Sequence, residues 1–117
     1  HEFYSYAAKY LDAEGAQLII PAELPEGMET RVQELALRAF EVLELEGMAR
    51  VDFFLTMQGR LLLNEVNTLP GFTPISMYPK LWAASGLAYP QLLSTLLDLA
   101  MERHTRNKAL RRDFKLD

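Results

Sequence analysis

The sequence predicts an α+β fold in which an antiparallel sheet is flanked by helices. Apolar residues recur at helical spacing between residues 32 and 43 and again between residues 92 and 101. Between these segments, the runs "ARVDFFLTM" and "RLLLNEV" are rich in strand-forming residues and are separated by Gln58 and Gly59. We therefore expect one β-hairpin, with a helix before it and helices after it.

The composition excludes several classes of protein. The net charge is −4 and no apolar run approaches the roughly 20 residues of a membrane helix, so we expect no nucleic-acid and no membrane partner. The absence of cysteine excludes disulfides and cysteine-based zinc sites, and it fits a cytoplasmic protein. Since the 117 residues begin at His1 rather than Met, we expect them to be part of a longer chain.

The residues before the hairpin predict a loop, a strand and a helix, in that order. Residues 1–15 show no sustained period and are expected to form a loop. The run 18–20 is apolar and is followed by a proline, which predicts a short strand and then a break. For the helix, Thr30 and Gln33 form a capping-box pattern at the start, and Gly47 is a suitable stop.

The hairpin geometry brings four polar residues together. If the turn has only two residues, Asp52 lies opposite Glu65 and Arg50 lies opposite Asn67. Residues two apart on a strand share a side of the sheet, so these four residues form one polar cluster. The same register places the following residues on the opposite, core-facing side: Val51, Phe53, Leu62 and Val66. Toward the turn, the side that carries the polar cluster becomes apolar, at Phe54, Leu61 and Leu63.

The polar cluster admits two interpretations. Two opposed carboxylates repel each other, at a cost of roughly 3 kcal/mol for about 5 Å and an effective dielectric constant of about 20. A raised carboxyl pKa or a bound cation would relieve the repulsion, and oxygen ligands favour Mg²⁺ or Mn²⁺ that also contacts nucleotide phosphates. Alternatively, Arg50 forms salt bridges with Asp52 and Glu65 on an ordinary hairpin surface. The spacing leaves both interpretations open.

The segment "NEVNTLPGFTPISM" predicts an anion-binding turn after the hairpin. Pro70 and Gly71 suit the central positions of a type II turn. Ser76 is a suitable N-cap for a short helix over about residues 76–85 that ends at Gly86, and free N–H groups at a helix start attract carboxylates and phosphates. The alternative is ordinary capping, in which Ser76 bonds to its own helix.

The remaining residues predict a long helix with a basic end. Pro90 suits the first helical position, and we interpret the basic tail from residue 103 to 117 as a solvated helix end. The apolar stripe of this helix consists of Leu92, Leu93, Leu96, Leu97, Ala100 and Met101.

These segments resemble a known family. "RVDFFL" and "NEVNTLPGFTPISMYP" closely resemble the C-terminal core of D-alanine–D-alanine ligases, which are members of the ATP-grasp superfamily. "FYSYAAKY" resembles the ω-shaped lid loop of these enzymes, and "GLAYPQLLSTLLDLA" resembles their closing helix. The resemblance implies the C-terminal portion of an ATP-grasp domain, with an ω-type lid loop at 1–15 and a C-terminal subdomain at 16–117.

The resemblance implies ATP-dependent ligation of two D-alanine molecules for peptidoglycan synthesis. ATP converts one carboxylate to an acyl phosphate, which the amine of the second D-alanine attacks. The alternatives are another ATP-grasp carboxylate–amine ligase or a D-alanine–D-lactate ligase. Tyr10 favours the dipeptide product, since the D-lactate-using relatives tend to have His there. A non-catalytic interaction module would need a broken polar cluster, yet all four residues are present.

The resemblance also implies metal and oxyanion sites. Asp52, Glu65 and Asn67 match the ligands of two Mg²⁺ (or Mn²⁺) ions. Arg50 and the N–H of Gly71 match the groups that stabilise the tetrahedral oxyanion.

Substrate and nucleotide contacts complete the implied site. Ser76 and the N–H of Met77, near Gly71, match the site for the carboxylate of the second D-alanine, and Tyr10 matches the tyrosine that helps close the lid. The residues implied to lie near ATP and its phosphates are Lys9, Asn64, Glu65 and Phe3. The implied partners are ATP, D-alanine and the rest of the same ligase chain, and the family implies a homodimer. We expect these 117 residues alone to be inactive.

Overall fold

The structure, a computed structural model, describes residues 17–110. The elements are α1 (Met28–Val42), β1 (Arg50–Leu55), β2 (Leu61–Asn67), α2 (Met77–Ala84) and α3 (Tyr89–Ala109). Strands β1 and β2 form an antiparallel sheet, so the predicted α+β class is confirmed, as is the order of one helix, the hairpin and two further helices. The predicted lid loop, with its site residues Phe3, Lys9 and Tyr10, lies outside the described residues.

The prediction of a strand over residues 18–20 is wrong. These residues have no regular structure, and the side chains of Leu18 and Ile19 are about half exposed. A strand needs a neighbour for its backbone hydrogen bonds. Within residues 17–110, β1 and β2 pair only with each other, so the apolar run has no strand beside it.

Helix α1 starts from a tight turn rather than from a capping box. The N–H of Met28 donates to the C=O of Pro25 (3.0 Å), and Gly27 at φ 80° is the N-cap. A positive φ at the third residue of a turn is the type II pattern that favours glycine. Thr30 therefore lies inside the helix, and Gln33 donates to a carboxylate one turn earlier instead of to the helix start.

Helix α1 ends before the predicted stop at Gly47. The N–H of Leu45 donates to the C=O of Phe40 and the N–H of Glu44 donates to the C=O of Glu41, both at 3.0 Å. This is the Schellman arrangement, in which one residue takes a left-handed conformation. That residue is Glu44 at φ 54°, so the sequence carries no glycine signal at the true end of the helix.

The hairpin turn has three residues instead of two. The N–H of Thr56 donates to the C=O of Arg60 (2.9 Å), so these two residues face each other across the turn. Gly59 occupies the last turn position with φ 81°. This is the common three-residue hairpin loop, in which a left-handed residue follows a type I turn.

A β-bulge in β2 restores the predicted pairs at the open end of the hairpin. Near the turn, the longer loop shifts the register by one residue, so Phe53 pairs with Leu63. Asn64 has no partner and forms the bulge, after which Asp52 pairs with Glu65 as predicted. The extra residue in the loop and the extra residue in the strand therefore compensate each other.

Three leucines between the turn and the bulge lie on the side of the sheet opposite to the predicted one. Leu61 and Leu63 lie on the same side as Phe53, where they line a cleft of about 350 Å³ against α1. Leu62 pairs with Phe54 and therefore lies on the side of the polar cluster. The two-residue turn assumed from the sequence reversed these three positions, because a shift of one residue moves a side chain to the other side of a sheet.

The most buried residues lie where α2, α3 and the loop after β2 meet. Leu92 is 2 % exposed, Ser76 is 4 % exposed and Tyr78 is 6 % exposed. Helix α2 has nearly the predicted bounds and ends with Gly86 at φ 96°. Pro90 takes the second helical position of α3 rather than the first, because Ala88 is the N-cap.

The apolar stripe of α3 is only partly buried. Leu92 is buried and Leu96 is partly buried, but Leu97 and Met101 are each 66 % exposed. Helix α3 has 21 residues, whereas α2, which packs against it, has eight. The shorter helix therefore cannot cover the whole stripe.

The basic end of α3 is tied to the loop after α1. Arg103 Nε lies 2.8 Å from Glu46 Oε2, and Arg106 Nη2 contacts the other oxygen of the same carboxylate. The predicted solvated helix end is confirmed for the described residues, because the side chains of Arg103 and Arg106 are 57 % and 65 % exposed even though both contact Glu46. Residues 111–117 lie outside the described residues. No helix within residues 17–110 combines the length and apolar character needed to cross a membrane.

Two leucines of α3 provide a matched test of this packing. Leu92→Ala should lower the free energy of unfolding by about 2–5 kcal/mol, because it leaves a cavity at a fully buried position. Leu97→Ala on the exposed part of the stripe should lower it by less than about 1 kcal/mol. Urea unfolding followed by circular dichroism measures both, and equal losses would contradict the described packing.

Candidate functional site

Arg50 gathers the carboxylates of the polar cluster on one side of the hairpin. Its Nε donates to Asp52 Oδ1 (2.8 Å) and its Nη2 donates to Asp52 Oδ2 (2.9 Å). The same Nη2 lies 3.6 Å from Glu65 Oε1. This bidentate contact between Arg50 and Asp52 is a strong, charge-assisted ion pair. Both carboxylates therefore lie on the side of the sheet predicted from the hairpin register.

This arrangement matches the salt-bridge alternative left open by the sequence, but it leaves the carboxylates accessible. The side chain of Asp52 is 30 % exposed and that of Glu65 is 56 % exposed. Each carboxylate oxygen has a second lone pair that the contacts with Arg50 do not use. The ion pairs therefore explain how opposed acids are accommodated without removing their capacity to bind a cation.

Asn67 adds an oriented amide oxygen at the end of β2. Its Oδ1 accepts a hydrogen bond from the N–H of Leu69 (3.1 Å), which fixes the direction of the amide as the chain leaves the sheet. Opposite Asn67 in the register is Arg50, so the amide lies at the edge of the polar cluster.

The chemistry of these donors fits a hard divalent cation. Within residues 17–110 no group of three or more His, Cys, Asp or Glu side chains is assembled, so the candidate ligands are two carboxylates and one amide. Mg²⁺ commonly binds one or two protein carboxylates and completes its shell with water and phosphate oxygens. Asp52, Glu65 and Asn67 therefore suit an ion shared with a nucleotide better than an ion enclosed by protein.

Gly71 allows a close contact and does not form a left-handed turn. Its φ lies outside the left-handed region, so the predicted type II turn at Pro70 and Gly71 is wrong. A Cβ added at Gly71 would lie 3.1 Å from the Oγ of Ser76. A side chain at this position would therefore press on the hydroxyl of Ser76.

Ser76 is the N-cap of α2 by position, but its side chain does not cap the helix. Its Oγ accepts a hydrogen bond from the N–H of Thr73 (3.0 Å) and lies 2.7 Å from Thr73 Oγ1. The first N–H groups of α2 thus have no side-chain cap, and the ordinary-capping alternative is wrong. Backbone N–H groups at a helix start can bind an anion.

Thr73 and the aromatic residues around the loop were not identified from the sequence. Phe72 packs between Tyr78 and Tyr89, with ring centroids 5.8 and 5.5 Å apart, and the hydroxyl of Tyr89 donates to the C=O of Phe72 (2.9 Å). The spacing Thr-Pro-x-Ser is a turn signal that could have indicated Thr73. The contact between Phe72 and Tyr89 joins residues 17 positions apart and leaves no local signal.

The predicted site residues fall into two contact groups. Arg50, Asp52 and Glu65 form one group, and Gly71 and Ser76 form the other. Thr73, which was not predicted, belongs to the second group through its hydrogen bonds with Ser76. The chain between them runs from Asn67 to Pro70. Asn64 is the exposed bulge residue directly before Glu65, and Met77 is the first residue of α2.

The chain is similar to known proteins of one family. Residues 1–98 match the family described as D-ala D-ala ligase C-terminus. Over 109 residues the chain is 60% identical to the D-alanine–D-alanine ligase of Shouchella clausii, covering 93% of this chain and 30% of that protein. The chain thus spans about 30% of the length of this relative.

Solved structures show the same fold. The D-alanine–D-alanine ligase from Coxiella burnetii matches with a TM-score of 0.73 and 47% identity, covering 77% of this chain and 28% of that one. A Bacillus anthracis D-alanine–D-alanine ligase complexed with ATP matches with a TM-score of 0.66 and 32% identity, covering 73% of this chain and 30% of that one. The described residues therefore have the fold of the C-terminal portion of an ATP-grasp domain, and the chain belongs to the D-alanine–D-alanine ligase C-terminal family.

Proposed function

We propose that this chain is the C-terminal part of an ATP-dependent D-alanine–D-alanine ligase. The observation that carries the proposal is the polar cluster, in which Arg50 holds Asp52 and Glu65 on one side of the hairpin in a chain of this family. The names of the relatives support D-alanine as the substrate, and the ATP complex of one of them supports ATP.

The proposed reaction has two steps, each of which develops negative charge. A carboxylate oxygen of the first D-alanine attacks the γ-phosphorus of ATP, ADP leaves, and an acyl phosphate forms. The amine of the second D-alanine then attacks the acyl carbon, and the tetrahedral intermediate expels phosphate to give the dipeptide. The protein must therefore neutralise phosphate charge, stabilise one oxyanion and hold one carboxylate.

The polar cluster has the chemistry for the first two tasks. Asp52, Glu65 and Asn67 would hold Mg²⁺ (or Mn²⁺), with two ions expected from the resemblance. When bound, these ions supply positive charge to the phosphate oxygens during the transfer. A cation held by Asp52 would compete with Arg50 for the carboxylate oxygens that Arg50 contacts. The guanidinium of Arg50 and the N–H of Gly71 would stabilise the tetrahedral oxyanion, as the resemblance implies.

The start of α2 has the chemistry for the third task. Its N–H groups carry the positive end of the helix dipole and have no side-chain cap, which supports carboxylate binding at Ser76 and Met77. The roles of Lys9, Tyr10 and Phe3 in the lid, and of Asn64 near the nucleotide, remain predictions from the resemblance.

The choice of substrate is tested by phosphate release in the full-length enzyme that carries this segment. With ATP and Mg²⁺ present, D-alanine should stimulate phosphate release far more than L-alanine or D-lactate, because the second substrate must supply an amine and the site is proposed to fit the D-isomer. Stimulation mainly by another amino acid would favour a different ATP-grasp carboxylate–amine ligase. Stimulation mainly by D-alanine together with D-lactate would favour the depsipeptide product.

The metal assignment is tested by Asp52→Asn, which keeps the shape of the side chain but removes its charge. Turnover should fall by about 100- to 1,000-fold, since charge stabilisation by a bound metal contributes several kcal/mol, and excess Mg²⁺ should recover part of the loss. Steady-state turnover across a Mg²⁺ titration measures both effects. Asp98→Asn on the exposed surface of α3 is the matched control and should leave turnover unchanged. Full activity of Asp52→Asn would remove Asp52 from the metal site.

A further inference from the structure

Thr73 and Ser76 are joined by three hydrogen bonds. The N–H of Ser76 donates to the C=O of Thr73 (2.9 Å), which closes a β-turn with Pro74 in the second position. In the opposite direction, the N–H of Thr73 donates to Ser76 Oγ (3.0 Å), and the two hydroxyl oxygens are 2.7 Å apart. The Ser76 hydroxyl therefore has both a backbone and a side-chain partner in the same residue.

The hydroxyl groups of Thr73 and Ser76 have one proton left to donate to a ligand. Two hydroxyl groups carry two protons, and the hydrogen bond between them uses one. When Thr73 donates, Ser76 Oγ accepts twice, from the Thr73 N–H and from the Thr73 hydroxyl, and its own proton is free for another acceptor. A carboxylate accepts hydrogen bonds but cannot donate, so its binding at Ser76 selects this arrangement.

The position of the Ser76 oxygen is restricted on a second side. Ser76 is only 4 % exposed, and a Cβ at Gly71 would lie 3.1 Å from its Oγ. The hydroxyl thus lies between the backbone of Gly71 and the side chain of Thr73. Among the contacts in the described residues, only those with Thr73 determine where its proton points.

We propose that Thr73 is a positioning residue for the carboxylate of the second D-alanine, acting by orienting the hydroxyl of Ser76. The proposal rests on the proposed function, because it takes Ser76 as part of the carboxylate site. Thr73 itself need not touch the substrate. When the hydroxyl of Thr73 donates to Ser76, the two hydrogen bonds that Ser76 Oγ accepts from Thr73 restrict the direction of the Ser76 proton, which then donates to the anion.

The test compares Thr73→Val and Thr73→Ser in the full-length enzyme. Valine keeps the shape of threonine but lacks the hydroxyl, so the apparent KM for the second D-alanine should rise about three- to tenfold, the usual range for one lost hydrogen bond. The kcat, the KM for ATP and the melting temperature should stay close to those of the parent enzyme. Serine restores the hydroxyl and should restore the KM. Initial rates of phosphate release over a wide range of D-alanine concentration measure these constants.

Two further variants separate this inference from the proposed function. Ser76→Ala should raise the KM for the second D-alanine at least as much as Thr73→Val, and Thr68→Val, an exposed threonine in the same loop, should leave it unchanged. If Ser76→Ala raises this KM and Thr73→Val does not, the positioning role is wrong while the carboxylate site stands. If Ser76→Ala has no effect, the carboxylate site is wrong and the positioning role falls with it. If Thr73→Val lowers the melting temperature and alters every constant, and serine does not rescue it, Thr73 is only structural and the proposal is overturned.

Discussion

The arrangement of the site depends on one electrostatic constraint, the placement of Asp52 directly opposite Glu65 in an antiparallel pair. Two carboxylates in such a pair repel each other and need a positive charge nearby. Arg50 supplies it, because a residue two positions away on the same strand shares the side of the sheet and can reach both acids. The geometry that requires this counter-charge also gathers the oxygen atoms that a divalent cation prefers.

The loop that follows the polar cluster is held by the most buried part of the described chain. Phe72 packs against the rings of Tyr78 and Tyr89, and its C=O accepts the hydroxyl proton of Tyr89 from α3. The turn closed by Thr73 and Ser76 then leads directly into α2. Packing around α2 and α3 therefore supports the proposed substrate contacts, as expected for sites that must be held within a fraction of an ångström.

The sequence predicted the polar cluster correctly because two errors in the predicted hairpin cancelled. Its alternation along each strand indicates which residues share a side, and the shift caused by the longer turn is reversed at Asn64. Between the turn and the bulge nothing cancels the shift, so the sides of Leu61, Leu62 and Leu63 were reversed. Bulges leave little signal in a single sequence, and the only trace here is that the two-residue turn would place the polar Asn64 on the core-facing side, between Leu62 and Val66.

Other features could not be predicted because they depend on three-dimensional contacts that the local residue pattern does not show. The apolar run 18–20 resembles a strand, but a strand exists only beside a partner. Pro70 and Gly71 indicate a type II turn, yet Gly71 has no left-handed conformation and instead lies close to the side chain of Ser76. By contrast, Pro25 and Gly27 did carry a local signal for the start of α1 that outweighed the capping-box pattern at Thr30.

The central claim is that the opposed carboxylates bind a divalent cation that is shared with a nucleotide. Anomalous diffraction from crystals of the full-length enzyme grown with Mn²⁺ and ADP tests it most directly. Mn²⁺ peaks are expected between the nucleotide phosphates and the side-chain oxygens of Asp52 and Glu65, with the contact between Arg50 and Asp52 loosened. Peaks located elsewhere, with Arg50 still paired to both oxygens of Asp52, would contradict it.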